Sequence, residues 1–206
     1  RRYLEEGGFP EAQGVTTRDQ TALLQTYVDV AVLRDVIERY KVTNVVALRW
    51  LLRHLLANPA ADFSVEKLHR TLKSQGIAVS KTTLHEYLSH LETSFLTRVV
   101  LLHTASERQR MIAPRKAYPS DTGLIRIYEH SGRANIGHAL ETAIYLELER
   151  RGCEVGYLRT PQGYQVDFFA RYPLGDIDLI QVSASVENAE TYAREIRALV
   201  AAAEIY

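Results

Sequence analysis

The sequence lacks several features that would assign it to a well-defined class. It has one cysteine, Cys153, which excludes an internal disulfide framework and fits a reducing cytoplasm, the location that we expect. It contains no run of about 18 apolar residues, so we expect neither a membrane span nor a membrane partner. No basic-then-apolar signal peptide opens the chain.

The sequence also lacks the motifs of nucleotide and zinc sites. The glycine-rich loop G-x-x-x-x-G-K-[ST], whose backbone amides wrap a nucleotide triphosphate, does not occur, so we expect no ATPase site in this chain. The seven histidines and Cys153 show none of the spacings that build zinc sites. No cofactor is therefore expected, apart from a divalent cation considered below.

Charge is balanced overall but unevenly distributed. Lys plus Arg and Asp plus Glu both number 25. Residues 63–116 hold nine basic and four acidic side chains, a charge of +5, whereas residues 117–206 hold eight and thirteen, a charge of −5. This difference predicts two units with different surfaces, of which the basic one is suited to a polyanion.

The basic segment has the pattern of a winged helix. Apolar residues at three- and four-residue steps predict helices over roughly 18–40 and 44–57. Ser64 and Ser80 each fit a helix N-cap, with a glycine turn at Gly76 between the two short helices. We predict a strand from Phe95 to His103, a loop over Thr104–Arg110 and a returning strand over Met111–Tyr118.

The second short helix is the expected recognition helix, and the returning strand with its loop is the expected wing. Basic and short polar side chains there are suited to phosphates and base edges. The candidate nucleic-acid-binding residues are Lys81, Thr82, His85, Arg108, Arg110, Arg115 and Lys116. Winged helices also serve as protein-docking modules, so an interaction or oligomerisation module remains an alternative.

The acidic segment has the order α-β-β-β-α. The predicted elements are a helix at roughly 136–151, strands at 154–159, 164–172 and 177–183, and a helix at roughly 187–203. Glu141 falls in the first helix, Asp167 in the middle strand, and Gln181 with Ser183 in the third strand. This order matches the PD-(D/E)XK nuclease pattern of a helical Glu, a strand Asp and a final (D/E)-x-K.

In that pattern two carboxylates hold Mg²⁺ or Mn²⁺, and the metal polarises the scissile phosphate while the lysine helps to activate water. Here Gln181 offers a neutral carbonyl in place of a carboxylate, and Ser183 stands in place of the lysine. The catalytic set Glu141, Asp167 and Gln181 is therefore degenerate, and we expect no catalysis. The alternative is a metal-dependent nuclease that uses Glu141 and Asp167 as metal ligands.

Motifs along nearly the whole chain resemble a known family. They are Tyr3-Leu-Glu-Glu-Gly-Gly-Phe-Pro-Glu11, Tyr27-Val-Asp with Arg34-Asp35, Val79-Ser-Lys-Thr-Thr-Leu-His-Glu-Tyr-Leu88 running on to Leu91-Glu92, Pro114-Arg-Lys-Ala-Tyr118, Asp121-Thr-Gly-Leu124, Gly137-His-Ala-Leu-Glu141, Gln165-Val-Asp-Phe168, Ile180-Gln-Val182, and Glu190-Thr191 through Arg194-Glu195. In this order they resemble the C-terminal region of unknown function in prokaryotic AAA-family ATP-binding proteins.

The resemblance implies an α+β protein with a winged helix, within a segment over 1–118, followed by a restriction-endonuclease-like domain over 119–206. It implies a preceding ATPase domain as partner, and a sheet that continues past Tyr206. The Arg34-Asp35 pair is either an interface to that ATPase domain or a helix ion pair. Together with the basic segment, these features predict a non-catalytic accessory module that binds DNA; its oligomeric state is left open.

Overall fold

The computed structural model describes residues 1–128, 136–185 and 187–206. In this part the chain is a mixed α+β protein with two small antiparallel sheets. The helices are α1 (Arg2–Glu6), α2 (Thr17–Ala31), α3 (Val45–Ala57), α4 (Val65–Ser74), α5 (Lys81–Thr93), α6 (Glu107–Ile112), α7 (Gly123–Tyr128), α8 (Ile136–Arg150) and α9 (Ala189–Ala203). The strands are β1 (Asp62–Phe63), β2 (Thr97–Val100), β3 (Arg115–Pro119), β4 (Glu154–Arg159), β5 (Gln165–Arg171) and β6 (Ile177–Ile180).

The described residues divide into two compact units. The first takes residues 1–99 and 116–128, and the second takes 100–115, 136–185 and 187–206. Along the described ranges, no helix is long and apolar enough to cross a membrane.

Three consecutive helices, whose leucines form much of the core of the first unit, begin where the sequence predicts. The predicted helices at 44–57 and after Ser64 and Ser80 are confirmed as α3, α4 and α5. Both serines are N-caps: Ser64 Oγ accepts the amide proton of Lys67 at 3.2 Å, and Ser80 Oγ accepts that of Thr83 at 3.0 Å. Each cap satisfies a backbone donor that the helix leaves unpaired, which fixes where α4 and α5 begin.

The predicted helix at 18–40 is confirmed with one irregularity. After α2 the chain passes into a π-helical segment, Val32–Glu38. The carbonyl of Asp35 within this segment accepts a hydrogen bond from Ser94 Oγ at 3.0 Å. A side chain at the end of α5 thus donates a hydrogen bond to a backbone carbonyl of the π-helical segment.

The two predicted strands of the wing are shorter than expected. Phe95 does not begin a strand but lies in the turn that closes α5, with a positive φ of 57°, because Phe95 N donates to Glu92 O and Leu96 N donates to Leu91 O. The expected loop and the start of the returning strand instead contain α6. Its N-cap is Ser106, whose Oγ accepts the amide proton of Gln109 at 3.3 Å.

The first sheet has the strand order β1-β3-β2, so β3 is central. Thr97 Oγ1 donates to Tyr118 O at 3.1 Å, and Ala60 N donates to Ala117 O at 2.8 Å. These bonds lie on the two sides of β3 and hold it between its neighbours.

The second unit has the predicted order of helix, three strands and helix, which is confirmed as α8, β4, β5, β6 and α9. Strand β5 is central and pairs antiparallel with β4 and with β6, in the register Phe169↔Leu179 on the β6 side. The buried side chains of β5 pack against α9, whose Ala198 and Ala202 join Val166 and Phe169 in one apolar cluster. This core positions Asp167, which also lies on β5.

Candidate functional site

The nuclease-like residues Asp167 and Gln181 are joined by reciprocal hydrogen bonds. Asp167 lies in the middle of β5 and is 8% exposed. Its backbone N–H donates to Gln181 Oε1 at 3.2 Å, and its own Oδ2 accepts the N–H of Val182 at 3.1 Å. The Asp167 side chain thus satisfies a backbone donor just beyond the end of β6, and the Gln181 side chain satisfies a backbone donor on β5.

Two residues outside the predicted catalytic set, Glu195 and Arg194, complete this cluster. Gln181 Nε2 donates to Glu195 Oε2 at 2.6 Å, and Glu195 also pairs with Arg194 at 2.6 Å. The hydrogen bond that Arg194 donates to Glu195 raises the pKa of Arg194 above its usual value, with a smaller contribution from the charge of Asp167. A sequence signal existed: Glu195 shares the buried face of α9 with Ala198 and Ala202, where an acidic side chain needs a partner.

The remaining residues of the nuclease-like set are placed as follows. Glu141 lies on α8, is 9% exposed and interacts with a neighbouring group. Ser183, which stands at the lysine position, donates its hydroxyl to Ser185 O at 2.6 Å. Within the described residues, no group of three or more His, Cys, Asp or Glu is arranged to hold a metal ion.

The candidate recognition residues of the first unit all lie on the exposed side of α5. Lys81, Thr82 and His85 are exposed within its first turn and a half. Lys81 Nζ forms an ion pair with Glu66 Oε2 on α4. The hydrogen bond from Lys81 lowers the pKa of Glu66, so this carboxylate is ionised at neutral pH and partly balances the lysine.

The candidate residues of the wing are dispersed. Arg108 and Arg110 lie on α6; Arg108 is exposed, whereas Arg110 pairs with Glu107 at 2.9 Å and donates to Thr104 O at 3.0 Å. Arg115, at the start of β3, is half-buried. Lys116 is only 2% exposed, so the structure does not present it to a ligand, contrary to its assignment as a surface cation. The residues that follow it in β3 are buried too, so both faces of this central strand are covered.

A buried carboxylate that the motif analysis did not assign holds the N-terminal segment. Asp121 is 7% exposed; its Oδ2 accepts the N–H of Gly8 at 2.7 Å and its Oδ1 accepts that of Gly123 at 2.8 Å. Burial raises the pKa of Asp121, and the two amide donors act in the opposite direction. A Cβ on Gly7 would lie 1.9 Å from Asp121 Oδ1, which explains the glycine in the motif around Gly7 and Gly8.

The Arg34-Asp35 pair lies in the π-helical segment. Arg34 Nε and Nη2 donate to the two oxygens of Asp35 at 2.8 and 3.1 Å. This fork lowers the pKa of Asp35. The geometry is that of an exposed ion pair between neighbours in sequence; a role in contact with another domain stays a prediction.

Comparison with known proteins places this chain in a family. The family described as "Domain of unknown function (DUF8612)" matches residues 1–131. The chain belongs to the DUF8612 family. The DUF8612 match covers the N-terminal segment held by Asp121, helices α2 to α7 and the first sheet.

Curated relatives of this DUF8612 chain have no described function. It is 31% identical over 208 residues to the uncharacterized protein MJ1544 of Methanocaldococcus jannaschii, covering 96% of the chain and 45% of that relative. It is 28% identical over 171 residues to an uncharacterized protein of Haemophilus influenzae, covering 82% of the chain and 42% of that relative. The chain thus spans less than half the length of these relatives. No solved structure matches it.

Proposed function

We propose that this chain is a non-catalytic, DNA-binding accessory module, with a winged helix in its first unit and a degenerate nuclease-like fold in its second. In the full-length protein it follows an AAA-type ATPase domain, which is its partner in the same polypeptide. The motif resemblance supports this context. The curated relatives are more than twice as long as their matched regions, which leaves room in those proteins for such a domain.

The order of elements supports the winged helix. Helices α3, α4 and α5 follow one another with a tight turn at Gly76 between the last two, where φ is 76°. The short strand β1 lies between α3 and α4 in sequence and pairs into the sheet with β3, which follows α5. Helix-turn-helix proteins of this kind place the helix after the turn against the nucleic acid.

The exposed start of α5 is the observation that carries DNA binding. Lys81, Thr82 and His85 lie on its solvent side, and the capped N-terminus carries the positive end of the helix dipole. The ion pair with Glu66 does not prevent binding, because exposed ion pairs contribute only about 0–1 kcal/mol and a phosphate can replace the carboxylate. Lys67, Arg70 and Lys73 on α4 add positive charge nearby in sequence.

The bonding around Gln181 supports the absence of catalysis. A nuclease metal centre needs several oxygen ligands free to turn toward the ion. Here the Gln181 oxygen accepts the Asp167 amide proton, an Asp167 oxygen accepts the Val182 amide proton, and Ser183 supplies no charge. The residues present therefore do not fit an active Mg²⁺ or Mn²⁺ centre.

Fluorescence anisotropy of a labelled duplex at two salt concentrations tests DNA binding. We expect affinity to fall steeply with salt. In Lys81→Ala the slope of log affinity against log salt concentration should become shallower by about one, the contribution of a single phosphate contact. Lys41→Ala, which removes an exposed lysine in the turn after the π-helical segment, is the matched control and leaves the slope unchanged. Salt-independent binding, or equal effects of the two substitutions, would contradict the proposal.

Incubation of the same DNA with Mn²⁺ tests the absence of nuclease activity. We expect no cleavage products at any Mn²⁺ concentration. Cleavage that disappears in Asp167→Ala, while circular dichroism shows that this variant is folded, would instead establish the alternative of a metal-dependent nuclease.

A further inference from the structure

The solvent side of α5 carries a stripe of polar residues with a single charged member. The opposite side of this helix is apolar, and its buried residues are Leu84, Tyr87, Leu88 and Leu91. Thr82, Glu86 and Ser89 are exposed and follow one another at steps of four and three residues. This spacing places their side chains in a row along one face of the helix. A partner that approaches α5 from solvent therefore meets this stripe first.

Lys81 lies to one side of the stripe. Its ammonium group forms an ion pair with Glu66 on α4, so its side chain is directed toward that helix. This position suits a phosphate at the edge of a groove, whereas the stripe suits the floor of the groove. From Thr82 to Ser89 the helix rises by about 10 Å, which is the length of about three base pairs. The stripe thus has the dimensions of a surface that reads base edges.

Glu86, in the middle of the stripe, forms no ion pair with any residue that the structure describes. The nearby His90 does not balance its charge at neutral pH, because burial lowers the pKa of His90 although Glu86 acts in the opposite direction. In the free protein, water solvates this carboxylate. In a DNA groove the carboxylate loses part of that water, and a group that only accepts hydrogen bonds then needs a donor.

Only two bases offer such a donor in the major groove. Guanine presents the acceptors N7 and O6, and thymine presents the acceptor O4 and a methyl group, so neither supplies a proton. Adenine offers its N6 amino group next to the acceptor N7, which repels a carboxylate. Cytosine offers its N4 amino group without an acceptor beside it, and it is the base from which glutamate side chains accept a hydrogen bond.

We propose that Glu86 determines the sequence preference of the duplex contact by accepting a hydrogen bond from the N4 amino group of one cytosine. This role of Glu86 rests on the proposed function, because it requires α5 to enter the major groove. The ligand is then a duplex with a cytosine at one fixed position of the site. Thr82 and Ser89 accept any base on either side, because a hydroxyl group both donates and accepts.

Selection from a library of duplexes with a randomised central segment tests this role in the whole chain. Glu86→Ala removes the carboxylate, and Glu86→Gln replaces it with an amide. Glu38→Gln is the matched control, because it removes an exposed carboxylate from the π-helical segment of the same unit. Unchanged circular dichroism shows that each variant is folded, and anisotropy measures its affinity for the selected duplexes.

We expect the wild type and Glu38→Gln to select a cytosine at one position. They bind this duplex about tenfold more tightly than one with another base pair there. Glu86→Ala loses the preference, whereas Glu86→Gln shifts it to adenine, because an amide matches both the donor and the acceptor of that base.

A chemical substitution in the selected duplex tests the hydrogen bond itself. In N4-methylcytosine the methyl group replaces the amino hydrogen that faces the major groove, and the hydrogen that pairs with guanine remains. We expect this base to weaken wild-type binding about tenfold, as a mismatched base pair does, and to leave the affinity of Glu86→Ala unchanged.

Three outcomes contradict the proposal in different ways. If Glu86 stays solvated in the complex, Glu86→Ala binds all duplexes more tightly by the same factor, because it only removes repulsion from the phosphates; this result overturns the role of Glu86. Salt-dependent binding by a wild type that selects no cytosine overturns it too, and the DNA-binding function then remains. Absence of any duplex binding by the wild type refutes the DNA-binding function, and the role of Glu86 with it.

Discussion

Introducing a carboxylate at position 181 tests the hydrogen bonds of the cluster around Asp167 directly. In Gln181→Glu the new carboxylate replaces an amide whose nitrogen lies 2.6 Å from Glu195 Oε2 and whose oxygen lies 3.2 Å from Asp167 N. Two carboxylates at hydrogen-bond distance cannot both remain ionised, so one of them takes up a proton. The pKa of the introduced group is therefore raised in the folded protein.

The magnitude of the effect has an upper bound. The folded state avoids the repulsion by binding one proton, and at pH 7 this costs at most about 3.7 kcal/mol, which is 2.303RT times the difference between 7 and an ordinary glutamate pKa of about 4.3. The protonated group then donates to Glu195 in place of the lost amide, so little else is lost. We expect Gln181→Glu to lower the free energy of unfolding of the second unit at pH 7 by about 2 kcal/mol or more, up to this bound.

Urea denaturation followed by far-ultraviolet circular dichroism, repeated from pH 4 to pH 8, measures this loss. Because the folded pKa is raised, stability is fully present below the unfolded pKa of about 4.3 and is lost as the pH rises through the folded value. Gln165→Glu is the control: it adds the same charge on β5, where Arg159 Nη2 lies 3.4 Å from the Gln165 oxygen. An unchanged, pH-independent stability of Gln181→Glu would refute the described contact between Gln181 and Glu195.

Three further predictions concern the first unit and are measured by urea denaturation followed through the fluorescence of Trp50, the single tryptophan. Gly7→Ala should lower the free energy of unfolding by more than about 2 kcal/mol, because the added Cβ meets Asp121 Oδ1 and the backbone (φ 80°, ψ −170°) suits only glycine. Gly14→Ala, where φ is 74° and nothing lies within 4 Å of the added Cβ, should lower it by about 1 kcal/mol. Equal losses in the two variants would contradict the contact. Ser80→Ala should cost about 1 kcal/mol and Ser80→Asp little, since only the first removes the cap of α5; equal stability of both variants would exclude this role of the side chain. Burial lowers the pKa of His54. The stability that neutral His54 contributes above the unfolded pKa of about 6.5 should therefore be lost as the pH falls through its lower folded pKa. His54→Phe should abolish this part of the pH dependence.

Local signals in the sequence were sufficient to predict most helices and strands. Ser64 and Ser80 mark helix starts because a serine at an N-cap satisfies a backbone donor within its own turn. The strands at 154–159 and 164–172 were predicted to within one residue at each end, because β-branched and aromatic residues lie between glycine and proline turns. Both kinds of signal act over a few residues and need no knowledge of tertiary structure.

The errors occurred where a local pattern fits two structures. Met111 and Ile112 are apolar and suit a strand, but they end α6 and are 63% and 72% exposed. The N-cap at Ser106 favours the helix, because its hydroxyl accepts the amide proton of Gln109. The π-helical segment could not be predicted, because the bond from Ser94 to Asp35 joins residues 59 positions apart.

The candidate sites were less predictable than the fold, because they depend on which side chains meet. Lys116 follows Arg115 in a basic run, yet it is buried because both faces of β3 are covered. The motifs that contain Glu195 and Asp121 do not show what these carboxylates do; only their distant partners, Gln181 and Gly8, show it. Sequence spacing therefore located Asp167 and Gln181 but not the network that joins them.

That network bears on what an aspartate in a nuclease-like position means. Asp167 accepts the amide proton of Val182 and donates its own to Gln181, so its carboxylate holds β5 to the chain after β6 whether or not a metal is present. Replacing Asp167 would leave a buried amide without an acceptor, at a cost of about 1–3 kcal/mol. The presence of this aspartate therefore requires no catalytic explanation. Position 183 says more about catalysis, because a lysine there would serve mainly to activate water. The chain has a serine at this position, and its hydroxyl donates to Ser185 O in the same loop.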